Sequence, residues 1–152
     1  LHAFNAITPQ FWSDTGTYIL YILINMAVTI LLATAAAVVG RSLAFGLAVA
    51  LIFFPIDNIG TVIMTLAYRV TGSDFWLNLT AYFLGPNLNQ MPIALTSGRV
   101  DSIGAMPLYF VDNNVAHGTL VDGTHTLVVA AVYAVIFAVI ALWLMWKRDV
   151  KE

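Results

Sequence analysis

The chain has 152 residues, of which 61% are hydrophobic and only 9% are charged, and its net charge is -2. Soluble globular domains carry roughly a quarter charged residues, so a mean hydropathy of +0.88 argues against a water-soluble fold and predicts one membrane domain over residues 1–152. The lack of cysteine excludes disulfides, thiol nucleophiles and thiolate metal sites. The basic residues are few and scattered, so the sequence does not indicate a nucleic-acid-binding surface.

Two long apolar segments come first. Residues 15–40 carry no charge and exceed the roughly 20 residues that cross a bilayer. Residues 42–68 are also long enough to span, and only Arg41 separates the two segments, which predicts a tight antiparallel hairpin. Helix-breaking and polar residues interrupt the second span at Pro55, Asp57, Asn58 and Gly60. This interruption predicts a kink in the second span.

The region 71–123 is predicted to lie outside the membrane core, but it contains short apolar pieces. One runs from Phe75 to a predicted break at Gly85-Pro86, and another follows at residues 90–95. Neither piece reaches spanning length, so we expect an interfacial or re-entrant pair of short helices that enters the membrane without crossing it.

The last predicted span covers residues 126–146, and it completes an all-α membrane protein with about three spanning helices. Basic residues favour the cytoplasmic side of short loops. The side predicted to be cytoplasmic carries Arg41, Lys147, Arg148 and Lys151, against Arg69 and Arg99 on the other side. We therefore expect a multi-pass protein of the plasma membrane with a cytoplasmic C-terminus. Trp143 and Trp146 should lie at headgroup level.

Three features in this order resemble the permease subunits of ABC-2 type transporters. They are the hairpin turned at Arg41-Ser42, the short apolar pieces before the last span, and a final span that closes in the basic and acidic tail WKRDVKE. The resemblance covers most of the chain and would match the last three of six spans. It implies a dimer of permeases that moves a lipid, glycan, drug or peptide with energy from cytoplasmic ATPase subunits. The family's N-terminal spans and coupling helix are absent from this sequence, so we expect another chain to supply that half.

Asp57 is the only acidic residue inside a predicted span. Ionisable groups are costly in lipid and mark functional sites by default, so Asp57, Asn58 and Asn25 are the candidates for a substrate path. The alternative for Asp57 is that the second span ends near it and leaves the carboxylate solvated. The alternative for Asn25 is a structural hydrogen bond to a neighbouring helix.

Other polar residues have simpler interpretations. Arg41 could contact phosphate groups or a coupling surface, although a lone arginine at a cytoplasmic turn is usually a topology determinant. His117 and His125 flank a loop at a spacing that fits no tight metal motif. Surface or interfacial histidines are the default, and a metal or pigment ligand is the alternative.

No catalytic motif is present, and no Gly-rich phosphate loop, so we expect neither an enzyme nor a bound cofactor or metal. Two functions remain. The first is a permease component that moves an amphipathic substrate with energy from a separate ATPase, paired with a second copy or a second permease half. The second is an accessory or scaffold subunit of a respiratory or photosynthetic complex. The lack of the N-terminal spans favours the second, whereas the broken span and the short helices favour the first.

Overall fold

The computed structural model describes residues 8–100, 110–112 and 115–149. These residues form five helices and two three-residue strands. In chain order, the elements are α1 (Pro9–Gly40), α2 (Leu43–Thr71), α3 (Phe75–Thr80), α4 (Leu84–Leu95), β1 (Phe110–Asp112), β2 (Val115–His117) and α5 (Gly123–Asp149).

The prediction of an all-α membrane protein is confirmed. Three helices are long and apolar enough to cross a bilayer, namely α1, α2 and the Gly123–Lys147 part of α5. Large apolar side chains on their outer faces stay exposed, as Leu51 does at 76% of its area. Water-soluble proteins rarely expose contiguous apolar surface of this extent, so these faces contact lipid.

The turn between α1 and α2 consists of two residues with opposite roles. Arg41 ends α1 in the left-handed conformation, with φ of 53°. Ser42 begins α2 as its N-cap, and its hydroxyl accepts a hydrogen bond from the backbone N–H of Phe45. Close packing then holds the hairpin together, because a Cβ added to Gly46 would lie 2.4 Å from the carbonyl oxygen of Ala33.

The second span is one continuous helix despite its helix-breaking and polar residues, and the kink stays a prediction. Helix α2 runs without a break through Pro55 and Gly60 to Thr71. Proline removes one backbone donor from a helix, and the helix continues on both sides of it. The alternative in which the helix ends near Asp57 is wrong, since Asp57 lies at the midpoint of the 29-residue α2.

The predicted pair of short helices is present as α3 and α4, which have 6 and 12 residues. Helix α4 packs against α1, α2 and α5, and Leu84, Leu88 and Met91 are buried in the core. The predicted break at Gly85-Pro86 is wrong, because these residues form the first turn of α4 and the break lies at residues 81–83. Proline is tolerated in a first turn, where its missing N–H has no intrahelical partner.

Both ends of the α3–α4 pair lie at the same end of the bundle. Helix α3 begins four residues after α2 ends. Beyond α4, Arg99 forms an ion pair of 2.9 Å with Asp14 in the second turn of α1. A Cβ added to Gly123, where α5 begins, would lie 2.9 Å from the side chain of Leu95. We call this the outer end, and the end with the α1–α2 turn the turn end.

Part of the predicted external region, residues 101–109 and 113–114, lies outside the described residues. Within the described part, β1 and β2 pair antiparallel, with Val111 opposite Ala116. The His117 ring nitrogen Nδ1 lies 2.9 Å from the Asp74 carboxylate. This contact fixes the strands to the start of α3.

Candidate functional site

Asp57 contacts the N-terminal end of α4. Its Oδ2 accepts a hydrogen bond of 2.5 Å from the backbone N–H of Gly85. The first four N–H groups of a helix have no partner within that helix, and the helix dipole favours negative charge at this end. The N-terminus of α4 therefore offsets part of the cost of a half-buried carboxylate in the middle of a spanning helix.

Gly85 permits this contact because it has no side chain. A Cβ at this position would lie 3.0 Å from Asp57 Oδ2 and 3.3 Å from Asn58 Nδ2. Both distances are shorter than ordinary van der Waals contact. With a larger residue here, the Asp57 and Asn58 side chains or the first turn of α4 would have to shift.

A second polar contact joins the same two helices one residue further along α2. Asn89 Nδ2 donates to Asn58 Oδ1 over 3.1 Å. The Asn58 amide in turn donates to the backbone carbonyl of Phe54 over 2.8 Å. Asp57 and Asn58 thus bind α4 through adjacent positions. We call the set of Asp57, Asn58, Gly85 and Asn89 the polar junction.

Asn25 makes hydrogen bonds within α1 instead. Its amide donates to the Tyr21 hydroxyl over 3.2 Å, and the Thr29 hydroxyl donates to the Asn25 backbone carbonyl over 2.8 Å. The side chain also lines a cavity of about 490 Å³ between α1, α2 and α4, which we call the central cavity. Its polar lining residues are Asn25, Thr29 and Asn89, and the others are apolar.

The structure therefore brings the three predicted path residues together only in part. Asp57 and Asn58 belong to the polar junction, Asn25 belongs to the central cavity, and Asn89 contributes to both. Sequence reasoning missed Gly85 and Asn89, which it treated only as residues that interrupt an apolar segment. The polar side chain of Asn89 within a short apolar region was the available signal.

Side chains also satisfy the backbone of the turn at residues 81–83. The ring nitrogen Nε2 of His125 donates to the Ala81 carbonyl over 2.7 Å, and the Tyr133 hydroxyl donates to the Tyr82 carbonyl over 3.2 Å. The fully buried Asn87 amide donates to the Ala81 and Phe83 carbonyls. Non-helical backbone at membrane depth needs such partners, so these contacts hold the turn inside the protein.

The histidines have structural contacts in this arrangement. His117 pairs with Asp74, and His125 bonds to the 81–83 turn. Within residues 8–100, 110–112 and 115–149, no group of three histidine, cysteine or acidic side chains is placed to hold a metal ion.

The predicted topology residues lie at the turn end. Arg41 is exposed in the α1–α2 turn. Trp143 and Trp146 are exposed near the end of α5, and Lys147 Nζ lies 5.1 Å from the centre of the Trp143 ring. The side chain of Arg148 lies outside the described part. An aromatic and basic cluster of this kind is typical of a membrane interface.

Comparison with known proteins identifies no relative. No protein-family model matches the chain, and neither does any curated protein or any solved structure.

Proposed function

We propose that the chain is the membrane-embedded permease component of an ATP-driven transporter. It moves an amphipathic substrate with energy from a separate cytoplasmic ATPase, as the resemblance to ABC-2 permeases implies. The observation that carries the proposal is the polar junction, in which a carboxylate at the midpoint of a spanning helix binds the first turn of a helix too short to span.

The central cavity fits an amphipathic ligand in size and chemistry. Ligand sites in proteins are typically 300–1,000 Å³, mostly apolar, with a few placed polar groups. The cavity has about 490 Å³ and combines apolar walls with Asn25, Thr29 and Asn89. A substrate with a hydrophobic body and a hydrogen-bonding group would satisfy both kinds of surface.

The polar junction can couple α4 to this cavity. Leu88 and Asn89 of α4 form one wall of the cavity, and the contacts of Asp57 and Asn58 hold α4 against α2. A shift of α4 relative to α2 would change the shape of the cavity. In this proposal, ATP hydrolysis by the partner drives such a shift.

The proposal requires partners, because the sequence has no Gly-rich phosphate loop of its own. These partners are an ATPase and a second membrane chain, either another copy or a second permease half. The competing function is an accessory subunit that scaffolds a respiratory or photosynthetic complex. Purification from native membranes in mild detergent separates the two: a stoichiometric ATP-hydrolysing subunit supports transport, and stoichiometric electron-transfer subunits support the scaffold.

Asp57→Asn tests the role of the junction in the purified complex with its ATPase. The substitution keeps the size of the side chain and removes its charge. We expect normal membrane insertion and a clear loss of ATP hydrolysis in proteoliposomes. The control Asp74→Asn lies outside the spanning helices and keeps a side-chain oxygen for the contact with His117, so it should retain the activity of the parent. Unchanged hydrolysis in Asp57→Asn would remove the junction from the transport cycle.

A further inference from the structure

A second groove lies between α1 and α2, closer to the turn end than the central cavity. It has a volume of about 610 Å³, and we call it the turn groove. The apolar side chains of Ile30, Leu43 and Leu47 form its exposed walls, and Ala33 and Ala37 line it with small side chains. The last residues of the groove are Arg41 and Ser42 in the turn itself.

The length of the turn groove matches one leaflet of a bilayer. From Ile30 to Arg41 the axis of α1 advances by roughly 16 Å at 1.5 Å per residue. The hydrocarbon core of a bilayer is about 30 Å thick, so one leaflet contributes about half of that. The groove thus begins at the membrane surface and ends near the bilayer centre, where the polar lining of the central cavity starts.

The described side chains at the open end of the groove carry positive charge. Among the described residues, the Arg41 side chain takes part in neither of the two ion pairs, which are Arg99 with Asp14 and His117 with Asp74. Lys147 lies at the same end of the bundle. Basic pockets between spanning helices favour anionic lipid headgroups, and an arginine suits phosphate oxygens well.

We propose that the turn groove binds one anionic phospholipid of the leaflet on the turn side. Its phosphate contacts the Arg41 guanidinium, and one acyl chain lies along Ala33 and Ala37 between the walls of Ile30 and Leu47. The bound lipid fills the groove between the two helices of the hairpin, and the end of its acyl chain borders the central cavity, which shares Ile30, Ala33 and Leu47 with the groove. This site is independent of any transport function.

Native mass spectrometry of the detergent-purified chain tests the site, with phosphatidylglycerol and phosphatidylcholine titrated separately. We expect one phosphatidylglycerol to remain bound per chain after annular lipids are removed, with weaker retention of phosphatidylcholine. Arg41→Asn removes the charge at a left-handed position that asparagine tolerates, and should weaken phosphatidylglycerol binding about fivefold. Arg41→Lys should retain most of the binding. Arg69→Asn, at the outer end of α2, is the matched control and should change nothing.

A second variant tests the groove itself. Thr34 lines the turn groove from an exposed position, so Thr34→Phe should block the acyl chain and lower lipid retention without disturbing the packing of α1 on α2. Val39→Phe, also exposed but outside the groove, is the control. If the parent and Arg41→Asn retain phosphatidylglycerol equally, and neither prefers it to phosphatidylcholine, the bound lipid is annular only and the proposal is overturned. The proposal would also be overturned if Thr34→Phe changed the oligomeric mass of the protein but left the number of bound lipids the same.

Discussion

A single glycine sets how closely α4 approaches α2. Gly85 lies in the first turn of α4, where its N–H binds Asp57. The N–H could come from any residue except proline, so the need for glycine is steric. The sequence does not reveal this steric requirement, because a Gly-Pro pair is typical of a loop. Only the position of Asp57 in the fold shows that the lack of a side chain at Gly85 permits a close contact.

Gly85→Ala is therefore expected to destabilise the protein. The added methyl group would lie 3.0 Å from the Asp57 carboxylate, and overpacking of this kind costs about 1–3 kcal/mol. Thermal unfolding of the purified protein in detergent measures the effect. Gly16→Ala is the matched control, because Gly16 lies inside α1 with nothing within 4 Å of the added Cβ. That control should be neutral or stabilise by about 0.5–1 kcal/mol. Equal melting temperatures for the two variants would contradict the close approach of α4.

The carboxylate of Asp57 is the second single residue on which the contact between α2 and α4 depends. Asp57→Ala leaves the Gly85 N–H without its acceptor, and an unsatisfied buried donor costs about 1–3 kcal/mol. Asp57→Asn keeps a side-chain oxygen that can accept the bond, so we expect it to unfold closer to the parent. Guanidinium or thermal unfolding of both variants separates the contribution of the hydrogen bond from that of the charge. A parent-like Asp57→Ala would show that the hydrogen bond adds nothing to stability.

At the scale of the elements, two contacts decide the arrangement of helices. The first is the crossing of α1 and α2, where an added Cβ on Gly46 would lie 2.4 Å from a backbone oxygen of Ala33. Backbone cannot move aside as a flexible side chain can. Gly46→Ala should therefore separate the hairpin helices and lower the melting temperature by more than Gly85→Ala does. The reverse order in the same assay would contradict this packing.

The second contact is the hydrogen bond from Asn89 on α4 to Asn58 on α2. Hydrogen bonds between helices in membrane proteins contribute about 0.6 kcal/mol on average, and up to about 1.7. A double-mutant cycle with Asn58→Leu and Asn89→Leu isolates the pair. We expect a coupling within that range, because each leucine alone already removes this bond between α2 and α4. A coupling of zero would show that the two helices do not depend on this bond.

The helices differ in how far the sequence could define them. The hairpin of α1 and α2 follows from two apolar segments and a turn too short for anything else. A kink in α2 was predicted because Pro55, Asp57 and Asn58 are unfavourable in an isolated membrane helix. In the fold, α4 supplies partners for Asp57 and Asn58, so α2 stays continuous. A partner distant in sequence is what local patterns cannot show.

The same reasoning applies to α4. Its short length suggested an interfacial or re-entrant position, and in the fold Leu84, Asn87 and Met91 are fully buried. The segment can be buried because His125, Tyr133 and Asn87 satisfy the backbone of the turn that precedes it. Those donors come partly from α5, more than 40 residues further along the chain.

At the scale of the whole molecule, the described residues form three helices long and apolar enough to span a bilayer, and these pack around α4, which at 12 residues is too short to span. This arrangement gives the polar junction its place inside the membrane, and with it the proposed role in transport. If α4 crossed the bilayer instead, Asp57 would meet a different part of the chain. The central claim is therefore that residues on both sides of the α3–α4 pair face the same side of the membrane.

Single-cysteine labelling with a membrane-impermeant maleimide tests that claim most directly, because the chain has no cysteine of its own. Cysteines at Ser73 and Ser97 flank the α3–α4 pair, and one at Ser42 marks the turn end. We predict that Ser73→Cys and Ser97→Cys are labelled from one side of sealed vesicles and Ser42→Cys only from the other. Labelling of Ser73→Cys and Ser97→Cys from opposite sides would contradict the account.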